Sequence, residues 1–110
     1  VRVILDECLP RVLGDDLTGH DVQTVQQAGF DGLKNGELLK RIAAAQFDAF
    51  VTVDKNLPTE QRAASLSFGI VVLRAKSNRI QDLRPLANKI VDALTTLKPG
   101  RVAIVAKGRR

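Results

Sequence analysis

Gly69-Ile70-Val71-Val72-Leu73 is an unbroken apolar run, opened by a glycine and closed by Arg74. Runs of this kind suit strands buried on both faces of a parallel sheet, where no side chain needs to meet water. Working back toward the N-terminus, Phe47 to Val53 is a second, mostly apolar strand that stops at Asp54. Arg2–Leu5 is a short β-branched run ended by Asp6-Glu7. After the turn Gly19-His20-Asp21, the residues Val22, Thr24 and Val25 predict a further strand. Toward the C-terminus, Val102 to Ala106 is the last strand.

The segments between these strands carry helical or turn chemistry. Pro10 suits the first turn of a helix whose apolar face is Val12, Leu13 and Leu17. Gly29 to Gly36 is a loop rich in glycine, and Asn35 is placed to cap a helix carrying Leu38, Leu39, Ile42 and Ala43. Lys55 to Pro58 reads as a loop, followed by a short helix from Thr59 to Ser65 with Thr59 as N-cap. Ile80 to Leu97 presents Leu83, Leu86, Ala87, Ile90, Val91 and Leu94 at amphipathic spacing, and Pro99-Gly100 closes it. Alternating strands and helices predict an α/β domain, a small three-layer fold with a mostly parallel central sheet flanked by helices. The expected strand order is 2-1-3-4, with the last strand at an edge.

A chain of 110 residues with 45% apolar content is enough for one domain with a real core. One cysteine excludes an internal disulfide scaffold. No apolar run approaches the roughly 20 residues of a membrane span, and Val-Arg-Val-Ile-Leu-Asp reads as a strand and not as a signal-peptide core. The expected location is the cytoplasm. The net charge of +5 is uneven: residues 1–73 hold 7 basic and 10 acidic side chains, and residues 74–110 hold 10 basic and 2 acidic ones. Such asymmetry suits an acidic site beside a polyanion-binding surface, and equally a solvated basic helix with a basic tail.

Ligands of open parallel sheets bind beyond the carboxyl ends of the strands. Asp6 and Glu7 end the first strand and Asp54 ends the third; as neighbours these strands lie about 5 Å apart. Glu37, at the start of a helix, falls on the same edge. Clustered carboxylates repel unless a cation or shared proton relieves them, and hard oxygen donors favour Mg²⁺ or Mn²⁺ over Zn²⁺. Such an ion can activate water and stabilise a phosphodiester transition state. Helix capping by Asp6 or Asp54, and the helix dipole at Glu37, account for each acid singly but less well for their common edge.

The ordered set Asp6-Glu7-Cys8-Leu9-Pro10, His20-Asp21-Val22 with Thr24-Val25, Asn35-Gly36-Glu37-Leu38-Leu39, Phe47-Asp48, Thr52-Val53-Asp54-Lys55-Asn56-Leu57 and Lys98-Pro99-Gly100 resembles the compact PIN-like family of predicted nucleases. Members of that family are often proposed as toxins of toxin–antitoxin pairs. The resemblance spans nearly the whole chain. It implies a PIN-like domain over residues 1–106 followed by a basic tail, 107–110, and metal-dependent ribonuclease chemistry. Under it Asp6 and Asp54 are the principal metal ligands, Glu37 is the third acid with Glu7 beside it, and Thr52 and Asn56 are supporting or substrate-orienting groups.

The family commonly has Asn at the position of Cys8, and a thiol replaces amide hydrogen bonding poorly. That departure keeps open a catalytically inactive PIN-like module that binds RNA or a protein partner. Cys8 is not expected to act as a nucleophile, because the one histidine, His20, falls in a turn expected at the far end of the sheet. Lys34 precedes the Asn35 cap, and Lys55 and Arg62 are candidates to hold phosphates at the rim of the acids; Arg74, Lys76 and Arg79, after the fourth strand, are the better candidates for an RNA track. Expected partners are RNA and a protein antitoxin, with a homodimer suggested by surplus apolar residues on Ile80–Leu97. A receiver-like phosphoacceptor domain is the competing class, since Asp6-Glu7, Asp54 and Lys107 imitate its Mg²⁺-bound site.

Overall fold

The computed structural model describes residues 1–53 and 63–106, the Asn35 side chain excepted. Asp54, Lys55, Asn56 and Arg62, the helix start expected at Thr59, and the basic tail lie outside the described residues. Five strands, β1 (Arg2–Leu5), β2 (Asp21–Thr24), β3 (Ala49–Val53), β4 (Gly69–Arg74) and β5 (Val102–Ala106), form one sheet in the order β2-β1-β3-β4-β5. Every pairing is parallel. The expected α/β class, strand order and edge position of the last strand are all observed, and the three-layer arrangement is consistent with a PIN-like one.

The alternation of each strand sorts its side chains onto two faces. Val3, Leu5, Ala49, Val51, Val71 and Leu73 bury against one helical layer; Ile4, Phe50, Ile70 and Val72 bury against the other. Ile70, Val71, Val72 and Leu73 of β4 are all 1% exposed or less, as the continuous apolar run requires. Burying each such side chain contributes about 1.5–3 kcal/mol, which offsets the roughly 1–2 kcal/mol lost in fixing each residue's backbone.

Four α-helices occur among the described residues: α1 (Val25–Ala28), α2 (Asn35–Ala44), α3 (Ile80–Leu83) and α4 (Ala87–Thr96). The first layer comprises a 3₁₀ helix, Arg11–Asp16, with α3, a 3₁₀ turn at Arg84–Leu86, and α4. The second contains α1 and α2. No described helix is long and apolar enough to cross a membrane.

Four local expectations are corrected. The segment after Pro10 is a 3₁₀ helix, with Pro10 itself extended ahead of it. Val25 leaves the strand because Thr24 forms a capping box: its hydroxyl accepts from Gln27 N at 3.0 Å while Gln27 Oε1 accepts from Thr24 N at 2.9 Å. Helix α2 begins at Asn35, so Lys34, with no side-chain cap, occupies the N-cap position. The expected helix over Ile80–Leu97 is interrupted at Pro85, which lacks an N–H and crowds the preceding turn. Its apolar face survives the break, for Leu83, Leu86, Ala87, Ile90 and Leu94 are all buried in one cluster. The exposed large apolar side chains among the described residues are Val1, Val12 and Ile104, and Ile80, Val91 and Leu97 of this segment are partly buried.

Candidate functional site at the carboxyl edge of the sheet

The β1 ladder continues one residue past the strand, where Asp6 N donates to Val51 O at 2.9 Å. Since Leu5 is paired with Val51, Asp6 stands beside Thr52. Alternation puts both on the face of Ile4 and Phe50, toward α2. Thr52 Oγ1 donates to Asp6 Oδ2 at 2.5 Å, and Glu7 N donates to Asp6 Oδ1 at 2.7 Å. Thr52 is 4% exposed, so its hydroxyl needs a partner, and the carboxylate supplies it. Asp6 is half-buried and held through both oxygens, each of which keeps a further lone pair.

The neighbouring acids are placed differently. Glu7 is exposed; its carbonyl accepts from Gln26 Nε2 at 3.0 Å and its Oε1 lies 3.4 Å from Gly32 N, linking the turn after β1 to α1 and the glycine loop. Glu37 is exposed in the first turn of α2, whose start faces the carboxyl edge because its end leads into the amino end of β3. Its carboxylate pairs with Arg41, 3.3 Å away on the same helix. Asn35 is the first residue of that helix. Among the described residues no three His, Cys, Asp or Glu side chains converge as a metal-holding group. Asp6 is a carboxylate held in one orientation at this edge, and an ion there would take its remaining positions from water or from residues beyond the described set. A hard oxygen donor of this sort suits Mg²⁺ or Mn²⁺, which commonly retain several waters.

At the same edge but on the other face of the sheet, that of Val53 and Leu73, a cleft of about 450 Å³ is lined by Cys8, Val53, Leu73, Arg74, Ala75, Lys76, Ser77 and Asn78. Two of the three expected phosphate-binding residues, Arg74 and Lys76, thus share a cavity at the carboxyl ends of β3 and β4. Arg79 is exposed at the N-cap position of α3 and does not line it. Asp6 does not line it either; Cys8, two residues on, does.

The loop after β4 owes its shape to Ser77 and Asn78, which the motifs of the sequence do not single out. Asn78 Nδ2 donates to Cys8 O at 2.9 Å, joining the loop to the turn that follows β1. Ser77 Oγ donates to Asp82 Oδ2 at 2.5 Å and accepts from Arg79 N at 3.0 Å. A Ser-Asn pair in the short loop between a strand and a helix is the signal in the sequence that points to them.

His20 lies at the opposite edge. Its Nδ1 is 3.4 Å from the N-terminal nitrogen, and Asp21 N donates to Val1 O at 3.0 Å. Partial burial, followed by the nearby N-terminal ammonium, lowers its pKa from 6.5. The imidazole is therefore remote from Cys8, as the sequence implies. A scan of protein-family models finds no match to the chain, and searches of the curated proteins and of the solved structures find none.

Proposed function

We propose that the chain is a Mg²⁺- or Mn²⁺-dependent PIN-like ribonuclease of the cytoplasm, the toxin of a toxin–antitoxin pair. The observation that carries this reading is the Asp6–Thr52 pair: a carboxylate oriented through both oxygens at the carboxyl edge of adjacent parallel strands. The cleft at the carboxyl ends of β3 and β4, with Arg74 and Lys76 in its wall, supports it by offering cations to phosphates at the same edge of the sheet as Asp6.

In this proposal Asp6 and Asp54 hold the ion, with Glu37 and Glu7 as further acids at the edge. The ion supplies an activated water and charge stabilisation at the phosphodiester. Thr52 fixes the rotamer of Asp6 through its hydroxyl. Arg74 and Lys76 neutralise phosphates beside the scissile one, Arg79 extends the track, and Lys55, Asn56, Arg62 and Asn35 orient the substrate. Incubating purified protein with single-stranded RNA and Mn²⁺ tests the reading. Cleavage abolished by a chelator and by Asp54→Asn is expected; cleavage equal in the Asp54→Asn variant would point to a contaminant and overturn it.

One observation favours the receiver-like reading. The strand order 2-1-3-4-5 is that of the flavodoxin-like folds, to which receivers belong. Against it, the β1-to-β2 crossover carries only the six-residue 3₁₀ helix Arg11–Asp16. A stable acyl-phosphate on Asp54 after treatment with a small phosphodonor would select the receiver.

A further inference from the structure

The two edges of the sheet are protected unequally. β2, at one edge, exposes Asp21 and Gln23, polar groups that discourage pairing with another chain. β5, at the other, reads Val-Ala-Ile-Val-Ala, with no charge, proline or glycine. Ile104 is 54% exposed, the highest value among the large apolar side chains described.

The register tells which backbone groups of β5 are open. Ile70 N donates to Arg101 O at 2.9 Å, so the backbone groups of Arg101, Ala103 and Val105 face β4. Those of Val102, Ile104 and Ala106 face outward. The Ala106 carbonyl accepts from Lys89 Nζ at 3.0 Å, and no described residue pairs with the outward groups of Val102 and Ile104. A row of such groups beside an exposed isoleucine is a template for a further strand.

Charge selects the occupant. From residue 83 to the C-terminus the sequence holds seven basic side chains and one acidic one, Asp92. Lys98 and Arg101 are exposed before β5, and Lys89 is exposed beside its end. A second copy on this edge would add its own exposed Lys89, Lys98 and Arg101 to those already there. Like charges brought together in this way disfavour the pairing.

We infer that the open edge of β5 accepts an extended, acid-flanked segment of a different polypeptide as a sixth strand. Main-chain hydrogen bonds to Val102 and Ile104 give affinity, an apolar residue covers Ile104, and acidic flanks set the register against Lys98, Arg101 and Lys89. This inference does not depend on the nuclease reading, for its test contains neither RNA nor metal.

The probe is a synthetic peptide with a Val/Thr centre and Glu on both flanks, compared with the same centre flanked by Lys. Amide exchange followed by NMR is expected to show new protection at Val102 and Ile104 with the Glu peptide, and affinity about tenfold or more weaker for the Lys peptide or at high salt. Ile104→Pro removes an outward N–H while sparing the β4 ladder, and should abolish binding in a protein that keeps its native spectrum. Ile104→Lys, which adds charge to the edge, should weaken binding in the same way. Absence of protection with the Glu peptide, or equal binding of both peptides, overturns the inference. So does concentration-dependent protection of the same amides without peptide, which would make a second copy the occupant.

Discussion

Thr52 Oγ1 donates a 2.5 Å hydrogen bond to Asp6 Oδ2, joining the carboxyl ends of two adjacent parallel strands. The pairing is reciprocal: the buried hydroxyl gains the acceptor it needs, and the carboxylate is held in one orientation. Replacing Thr52 by Val keeps the shape and removes the donor. Hydrogen bonds to charged groups contribute about 1.5–3 kcal/mol, but half-exposed Asp6 can recover some hydration. Thr52→Val should therefore cost about 1 kcal/mol, at the low end, with Thr52→Ser closer to wild type. Urea unfolding midpoints check this; an unchanged midpoint for Thr52→Val would leave the bond without weight.

Gly100 and Gly69 should differ in their tolerance of alanine. Gly100 has φ +81°, and an added Cβ would sit 2.9 Å from the Ala64 carbonyl oxygen. Both the backbone conformation and the neighbour resist it. At Gly69 the obstacle is the Leu97 side chain, which an added Cβ would overlap and which rotation of Leu97 can partly clear. Overpacking costs typically about 1–3 kcal/mol, so Gly69→Ala should fall in that range and Gly100→Ala at or above its top. Thermal or urea denaturation of the two variants gives the order.

His20 predicts a pH dependence of stability. Its folded pKa lies below 6.5, through partial burial and then the N-terminal ammonium, so the unfolded chain binds the proton more tightly. The contribution of His20 is fully present above the unfolded value and is lost as the pH falls from there through the folded pKa. His20→Gln should flatten the unfolding midpoint between neutral and mildly acidic pH relative to wild type. A wild-type midpoint that rises on acidification through that window would contradict the assignment.

Much of this architecture was legible in the chain. The continuous run Gly69–Leu73 and the strand–helix alternation implied the parallel sheet, and the acids after β1 fell on its carboxyl edge as expected. The break at Pro85 was masked by the periodicity of its neighbours. A 3₁₀ turn of three residues shifts the helical phase by only about 60°, so the apolar face runs on across it. Helix α1 is too short for periodicity, and only the Thr24/Gln27 spacing marks it. That Asp6 and Thr52 share a face depends on strand register, and a slip of one residue would put them on opposite sides. The Arg41 pairing of Glu37 is a choice of rotamer that spacing permits but does not dictate.

Lys76 lines the cleft and should act on nucleic acid chiefly through charge. Lys76→Ala should weaken single-stranded RNA binding uniformly across sequences and reduce the slope of log affinity against log salt by about 0.7. Filter binding over a salt series measures it. An unchanged slope would remove Lys76 from the phosphate track.

The most direct test of the central claim is Mn²⁺-supported cleavage of single-stranded RNA by wild type, Asp6→Asn and Thr52→Val, each verified as folded. Loss of an outer hydrogen-bond partner typically costs about 10–100-fold in metal affinity or activity, and loss of the ligand itself costs at least as much. Wild-type cleavage that requires the metal is expected, with a loss of about a hundredfold or more in Asp6→Asn and an intermediate loss in Thr52→Val. Metal-dependent cleavage that Asp6→Asn supports at the wild-type rate would contradict it.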